Sequence, residues 1–274
     1  NAAAEKIWGC SREEVMGHNV SCLVPEPERA SHDGYINRNR ETGIGRIVGT
    51  SREVEFRRAN GEYVCGELSI SRVQVSDCGK IYYIAVMKDV TEPSRQRKIL
   101  VLQNDVLQAL ASDMSIQEVG DLLCRRADSF VPGAVGALML IDRSRKLSVS
   151  ASPSMPKRYR AALDSMELTP EQLEMLRANP AASNTVVWDG YASLARSLGL
   201  ERCCSSTIIS RTGQVMGVFA LYLRGDEADL AWAQRVVSTS MPFCALAIEQ
   251  SETRQHIAQL SNFDSLTGLL NRTS

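Results

Sequence analysis

The strongest constraint on the fold lies between residues 53 and 90. Three stretches enriched in β-branched and aromatic residues, 53–56, 63–75 and 81–90, are separated by Asn60-Gly61 and Asp77-Cys78-Gly79. Asn, Asp and Gly tolerate the positive φ that tight hairpins need, and β-branched and aromatic side chains suit a half-buried pleated surface. Connections this short make neighbouring strands pair antiparallel, so a three-stranded meander is expected. Ahead of it, Ser11-Arg12-Glu13-Glu14 has the Ser-x-x-Glu form of a capping box, and 28–41 suits a polar-faced helix ended by Thr42-Gly43. Residues 1–91 therefore read as one α+β unit.

Pro93 opens the next segment, in a position a first helical turn tolerates. Ile99, Leu102, Val106 and Ala109 then follow spacings of three and four. That pattern fits a coiled-coil seam and fits equally a helix docked on the next domain. A second α+β unit follows, with strands expected at 134–141, 203–210 and 215–223 and a hairpin at Arg211-Thr212-Gly213. From Leu230 to about Phe263 the pattern is helical, with Val237, Cys244, Ile248 and Ser251 on one face. Pro242 inside it is expected to kink or interrupt the early part. Two such units joined and followed by long helices suggest a parallel homodimer held by helices at 93–113 and 230–262.

Composition narrows the partners. The 31 Lys+Arg nearly balance 32 Asp+Glu, leaving a formal charge of -1, which argues against a broad basic surface for nucleic acid. Apolar runs such as 218–223 are far too short to span a bilayer, and the first residues carry no secretory pattern. Eight cysteines without a CxxC spacing resemble neither a disulfide framework nor a zinc site, so a cytoplasmic protein is expected.

Several motifs resemble known families. Asn1-Ala2-Ala3-Ala4-Glu5-Lys6-Ile7-Trp8-Gly9, Ser11-Arg12-Glu13-Glu14-Val15-Met16-Gly17, Val24-Pro25-Glu26-Pro27 and the ending Met87-Lys88-Asp89-Val90-Thr91 resemble a PAS domain over about 90 residues. The resemblance begins after the second strand of that fold, so its first two strands are missing from 1–91. His32-Asp33-Gly34-Tyr35-Ile36 is similar to the haem-anchoring helix of FixL-type sensors and of the direct oxygen sensor (Dos) phosphodiesterases. The resemblance implies His32 as axial ligand of a b-type haem and Arg52 as hydrogen-bond donor to bound dioxygen. It further implies Ile47, Leu68 and Ile70 on the distal wall, and Arg38, Asn39 and Arg46 near the propionates. The residue types suit that chemistry: a neutral imidazole ligates iron, a guanidinium stabilises a partly anionic ligand, and apolar walls exclude water. Thr50 stands where the Dos family has a methionine ligand, which implies a five-coordinate ferrous iron. Asn19 and Cys22 are three apart and so miss the flavin-binding LOV pattern, where cysteine directly follows asparagine.

Residues 114–250 resemble a GAF domain, through 200–210 and 213–222. They lack the cyclic-nucleotide pattern and the Cys-His pair of bilin-attaching relatives, so no GAF ligand is expected. Cys203-Cys204 reads as two small residues on a buried strand in preference to a redox pair. Phe263-Asp264-Ser265-Leu266-Thr267-Gly268-Leu269-Leu270-Asn271-Arg272 resembles the opening of a GGDEF domain, and 254–260 resembles the helix that enters it, leaving His256 a solvated linker residue. The expected layout is a PAS domain at 1–91, a linker helix at 92–113, a GAF domain at 114–250, and a signalling helix with the start of a GGDEF domain at 251–274. The resemblance implies the sensing half of a GGDEF/EAL cyclic-di-GMP protein, with no synthesis or hydrolysis by these 274 residues. Two other readings stay open: a ligand-free PAS–GAF dimerisation and relay module, and a GAF-based small-molecule receptor.

Overall fold

The computed structural model describes all residues except 25, 44–47, 59–60, 76–78, 165, 182–188, 226–228 and 263–274. Arg46, Ile47, Asn60, Asp77, Cys78 and the 263–272 motif lie outside the described residues, as does the side chain of His256. The chain divides into two compact units, Asn1–Arg97 and Lys98–Ser274.

The first unit opens with two short helices, α1 (Ala2–Trp8) and α2 (Arg12–Val15), then a 3-10 turn (Val20–Leu23) and α3 (Glu26–Thr42). The Ser11 capping box is present: Glu14 N–H donates to Ser11 Oγ at 3.3 Å and Ser11 N–H to Glu14 Oε2 at 2.7 Å. These bonds pull the exposed Glu14 carboxyl below its usual range. Strands β1 (Ser51–Arg57), β2 (Tyr63–Gln74) and β3 (Ile81–Asp89) form the expected antiparallel meander in the order β1-β2-β3. The register pairs Arg52 with Leu68, Leu68 with Met87, Ile70 with Ala85 and Arg72 with Tyr83. At the other end of the sheet Trp8 stacks on Phe56, with ring centroids 6.1 Å apart.

Arg58 closes this unit. Its Nε donates to the Ile7 carbonyl at 2.9 Å, and its guanidinium pairs with Glu62 at 2.6 Å and with Asp89 at 3.0 Å. Asp89 Oδ1 also accepts from the Thr91 backbone at 3.0 Å and from its hydroxyl at 2.7 Å. The Asp-x-Thr ending is therefore a stop for β3 and a start for the next helix, α4 (Thr91–Ala111).

In the second unit α5 (Ile116–Phe130) begins on a Ser115–Glu118 capping box. Strands β4 (Ala134–Ile141) and β5 (Leu147–Ala151) follow, then α6 (Lys157–Leu163), α7 (Pro170–Ala178) and, after a 3-10 turn, α8 (Ala192–Ser197). Strands β6 (Arg202–Ile209) and β7 (Val215–Leu223) complete an antiparallel sheet of order β5-β4-β7-β6, and α9 (Leu230–Asn262) ends the described chain. One more strand, β5, is present than the sequence suggests.

Strand β7 is buried along its whole length because both sheet faces are covered. Phe219 and Leu221 pack with Leu123, Phe130, Trp232 and Val236 of α5 and α9, while Val218, Ala220 and Tyr222 pack with Tyr159, Leu163 and Leu176. A continuous apolar run is what a strand between two layers needs, each large side chain contributing about 1.5–3 kcal/mol. Gly217 has no Cβ because the Met139 carbonyl occupies its place.

Leu102, Val106 and Ala109 of α4, with Ile99 beside them, follow the docked-helix alternative and belong to the second unit's core; Val237, Cys244 and Ile248 of α9, expected to face a partner copy, belong to that core too. Pro242 does not interrupt α9, which runs unbroken from Leu230 to Asn262. Pro242 and Ser238, whose carbonyl loses its helical donor, are both exposed, so the carbonyl is not stranded in the core.

Candidate functional site

On α3, His32, Ile36 and Asn39 recur at i, i+4 and i+7 and form its less exposed stripe. The 3-10 turn fixes the start of that helix: Asn19 Nδ2 donates to both carboxylate oxygens of Asp33, at 3.0 and 3.1 Å. Arg29 Nε donates to the Val24 carbonyl at 3.2 Å. His32 is thereby held half-buried with its Nδ1 shielded from water and without a hydrogen-bond partner. Asn39 is 3% exposed; its Oδ1 accepts from the Tyr83 hydroxyl at 2.7 Å, and its Nδ2 has no partner.

The Tyr83 bond identifies the sheet face turned to α3. Residues opposite one another in antiparallel strands share a face, and so do residues two apart. Arg52, Leu68, Ile70, Ala85 and Met87 thus lie on the Tyr83 face. Leu68, Ile70 and Met87 are half-buried, and Arg52 is exposed on the edge strand beside them. Gly66 lets the Met87 sulfur occupy the space of a Cβ, with Phe56 Cε1 3.2 Å away. Gly49 N–H donates to the Ile70 carbonyl at 2.9 Å, bringing residue 49 to the β2 strand.

Of the expected site residues, Asn39 is tied to the sheet through Tyr83, His32 lies on the same stripe of the helix, and Leu68 and Ile70 lie on the Tyr83 face. Arg52 shares the sheet face. Arg38 is exposed, lies on another side of α3, and its carbonyl accepts from Thr42 Oγ1 at 2.7 Å. Tyr83 and Met87 belong to that sheet face without having been singled out; the alternation Ile81, Tyr83, Ala85, Met87 along β3 was the available signal. A helix stripe with an unpartnered imidazole nitrogen and an unpartnered amide nitrogen, beside a sheet face that carries Leu68, Ile70 and Met87, suits a flat apolar group with one metal to ligate. The residues present fit haem on those grounds.

Residues 1–92 match the family described as PAS domain. The N-terminal unit is a PAS domain. The chain is 27% identical to the oxygen sensor protein DosP of Escherichia coli (strain K12), over the whole of this chain and 44% of that protein. It is 32% identical to the sensor protein FixL of Bradyrhizobium diazoefficiens, over 60% of this chain and 32% of that one. A methyl sulfide methyltransferase-associated sensor of Methanosarcina acetivorans is 28% identical over 66% of this chain and 19% of its own length. The chain thus spans less than half the length of these relatives. Among solved structures, a phycocyanobilin-bound GAF domain from a cyanobacterial phytochrome overlaps 59% of this chain and 97% of its own, with a TM-score of 0.43 and 10% identity.

Among the described residues no three His, Cys, Asp or Glu side chains are grouped to hold a metal ion, and no helix is long and apolar enough to cross a membrane. Burial pushes the Cys203 and Cys204 thiols up, which keeps them protonated and suits a core role. Burial likewise pushes the Tyr159 hydroxyl up to about 12, its ring meeting Tyr222 edge-on at 5.3 Å.

Proposed function

We propose that the PAS domain binds haem b through His32 and senses dioxygen or another diatomic gas, as the sensory region of a cytoplasmic cyclic-di-GMP signalling protein. The observation that carries this reading is the shielded, unpartnered His32 Nδ1 on the helix stripe that also holds Asn39, the residue bonded to Tyr83 of the sheet. When bound, haem would supply the ferrous centre that takes the gas. His32 would hold the iron of that group, and Asp33 keeps the helix in place through Asn19. Leu68 and Ile70 would keep water from the bound gas, the role that the resemblance implies for Ile47 as well. Arg52 supplies donors that favour a partly anionic ligand over carbon monoxide. The carboxylate edge of the cofactor would fall to Arg46 and, through its unpartnered Nδ2, to Asn39, whereas Arg38 lies on another side of α3.

The unit at 98–274 serves as a GAF-type relay without a ligand of its own, in a homodimer. It passes the signal to a GGDEF or GGDEF/EAL domain that makes or degrades cyclic-di-GMP; the residues described here do neither. The name of the DosP relative, an oxygen sensor, supports the gas reading. One observation favours the second reading, a ligand-free relay: one end of the Asn39 amide is already engaged by Tyr83.

His32→Ala is expected to abolish stoichiometric haem. Arg52→Ala is expected to keep haem and to weaken oxygen binding much more than carbon monoxide binding. Equal haem content in His32→Ala and the parent would overturn the assignment.

A further inference from the structure

Helix α4 ends on a strained turn. Met114 N–H reaches back to the Ala109 carbonyl at 3.4 Å, and Asp113 before it sits at φ 55, a left-handed position that glycine usually fills. Ser115 then opens α5 with its capping box, so only 112–115 separate the two helices. A side chain held in the left-handed region costs free energy, and it persists where the surroundings hold it there.

The holding group comes from α9. Arg254 Nη1 donates to the Asp113 carbonyl at 3.0 Å and to the Met114 carbonyl at 3.3 Å, while its Nη2 pairs with Asp113 Oδ1 at 3.2 Å. Gln250 Oε1, one turn earlier on α9, accepts from the same Nη2 at 3.5 Å. One guanidinium thus serves two carbonyls and a carboxylate just past the end of α4, where the helix dipole also favours a cation. An ammonium lacks the planar fork that divides these partners between two nitrogens. The Asp113 side chain is 90% exposed and that of Arg254 39%, so water reaches the contact and it opens more easily than a core contact would.

We infer that Arg254 is a latch that fastens α9 to the α4–α5 joint, so that a displacement entering along α4 is passed on to α9. The inference rests on the relay reading above and names its route. Helix α4 runs without a break from Thr91, whose hydroxyl donates to Asp89 at the end of β3, to Ala111 beside the joint. Ile248 is the last α9 residue in the buried core, and Arg254 lies about two turns beyond it. The latch therefore holds a stretch of α9 that the core does not.

Hydrogen exchange of the 274-residue chain, followed by mass spectrometry, tests this. Arg254→Ala is expected to speed exchange about threefold or more in peptides covering 109–116 and 249–262, with β4 and β7 at the parental rate. The route is read by loosening the far end of α4. Thr91→Val removes the hydroxyl that bonds Asp89 and accepts from the Cys65 N–H at 3.0 Å, and Asp89→Asn is a milder second variant of the same stop. Either is expected to change exchange at 249–262 about threefold or more with Arg254 present, and less than about 1.5-fold in the Arg254→Ala background. A cap that only stabilised α4 would give additive effects instead. Parental exchange of both peptides in Arg254→Ala would overturn the latch. A Thr91→Val effect that reaches α9 undiminished without Arg254 would leave the relay standing and overturn Arg254 as its route. No effect of either α4 variant on α9 would overturn the relay and the latch together.

Discussion

Tyr83→Phe removes one oxygen atom, and its expected cost follows from what that oxygen holds. The hydroxyl donates at 2.7 Å to Asn39 Oδ1, and Asn39 is 3% exposed with Nδ2 already unpartnered. Without the hydroxyl the amide is left buried with neither end satisfied, at a cost of about 1–3 kcal/mol. Because this bond ties α3 to β3, the loss falls on local opening of the helix and not on the second unit. Amide hydrogen exchange followed by mass spectrometry reads it: peptides covering α3 should exchange about 5- to 150-fold faster, while peptides covering β4 and β7 keep the parental rate. Asn39→Leu in the same background should recover most of the protection, since an apolar pair leaves no stranded polar group. A change in α3 exchange of less than about twofold in Tyr83→Phe would refute the reasoning, because a buried acceptor cannot lose its donor for so little.

Further outcomes are expected elsewhere. Burial works to push the Asp89 carboxyl up, but hydrogen bonds from Thr91 and the charge of Arg58 outweigh it and hold the group below its ordinary 3.8. A depressed folded value means the stabilisation is complete above 3.8 and is lost as pH falls below it; thermal unfolding between pH 5 and pH 2.5 should show Asp89→Asn insensitive to that loss where the parent is not. Gly217→Ala would drive a Cβ into the Met139 carbonyl, with Leu140 Cα 3.3 Å away, and urea unfolding should show about 1–3 kcal/mol of destabilisation because two paired backbones cannot yield. Trp232→Phe strands the Phe130 carbonyl that accepts from Trp232 Nε1 at 2.9 Å, and should cost about 1–3 kcal/mol in the same assay.

What the sequence discloses here is mostly local. Two turn signals and three β-branched stretches are enough for the meander, because a short connection admits few pairings. The Ser11 capping box is likewise written in four adjacent residues. The faces of α4 are different: Ile99, Leu102, Val106 and Ala109 have the spacing of a seam whether they meet a partner or their own domain. Only the non-local packing of Leu123, Phe130 and Trp232 against them decides it. Pro242 misleads for a related reason, since the damage from a helical proline depends on whether the orphaned carbonyl can reach water. Strand β5 is short and alternates serine with Leu147, Val149 and Ala151, a weak signal beside the long apolar run of β7.

At the candidate site, family resemblance supplied His32, Arg52, Leu68 and Ile70 by type. The shared face of Arg52, Leu68 and Ile70 is a matter of register: Leu68 opposite Arg52 on one side and Met87 on the other requires the pairing of three strands. Tyr83 shows the same limit. A tyrosine in a strand reads as ordinary β content until the Asn39 carboxamide is found 2.7 Å from its hydroxyl.

The haem assignment is tested most directly by cofactor stoichiometry. The full-length protein, purified from haem-supplemented cells, is analysed for haem by the pyridine haemochrome spectrum alongside protein concentration. The account predicts close to one haem per chain with an intense Soret band, reduced to background in His32→Ala. A colourless full-length protein, folded by circular dichroism, would contradict it.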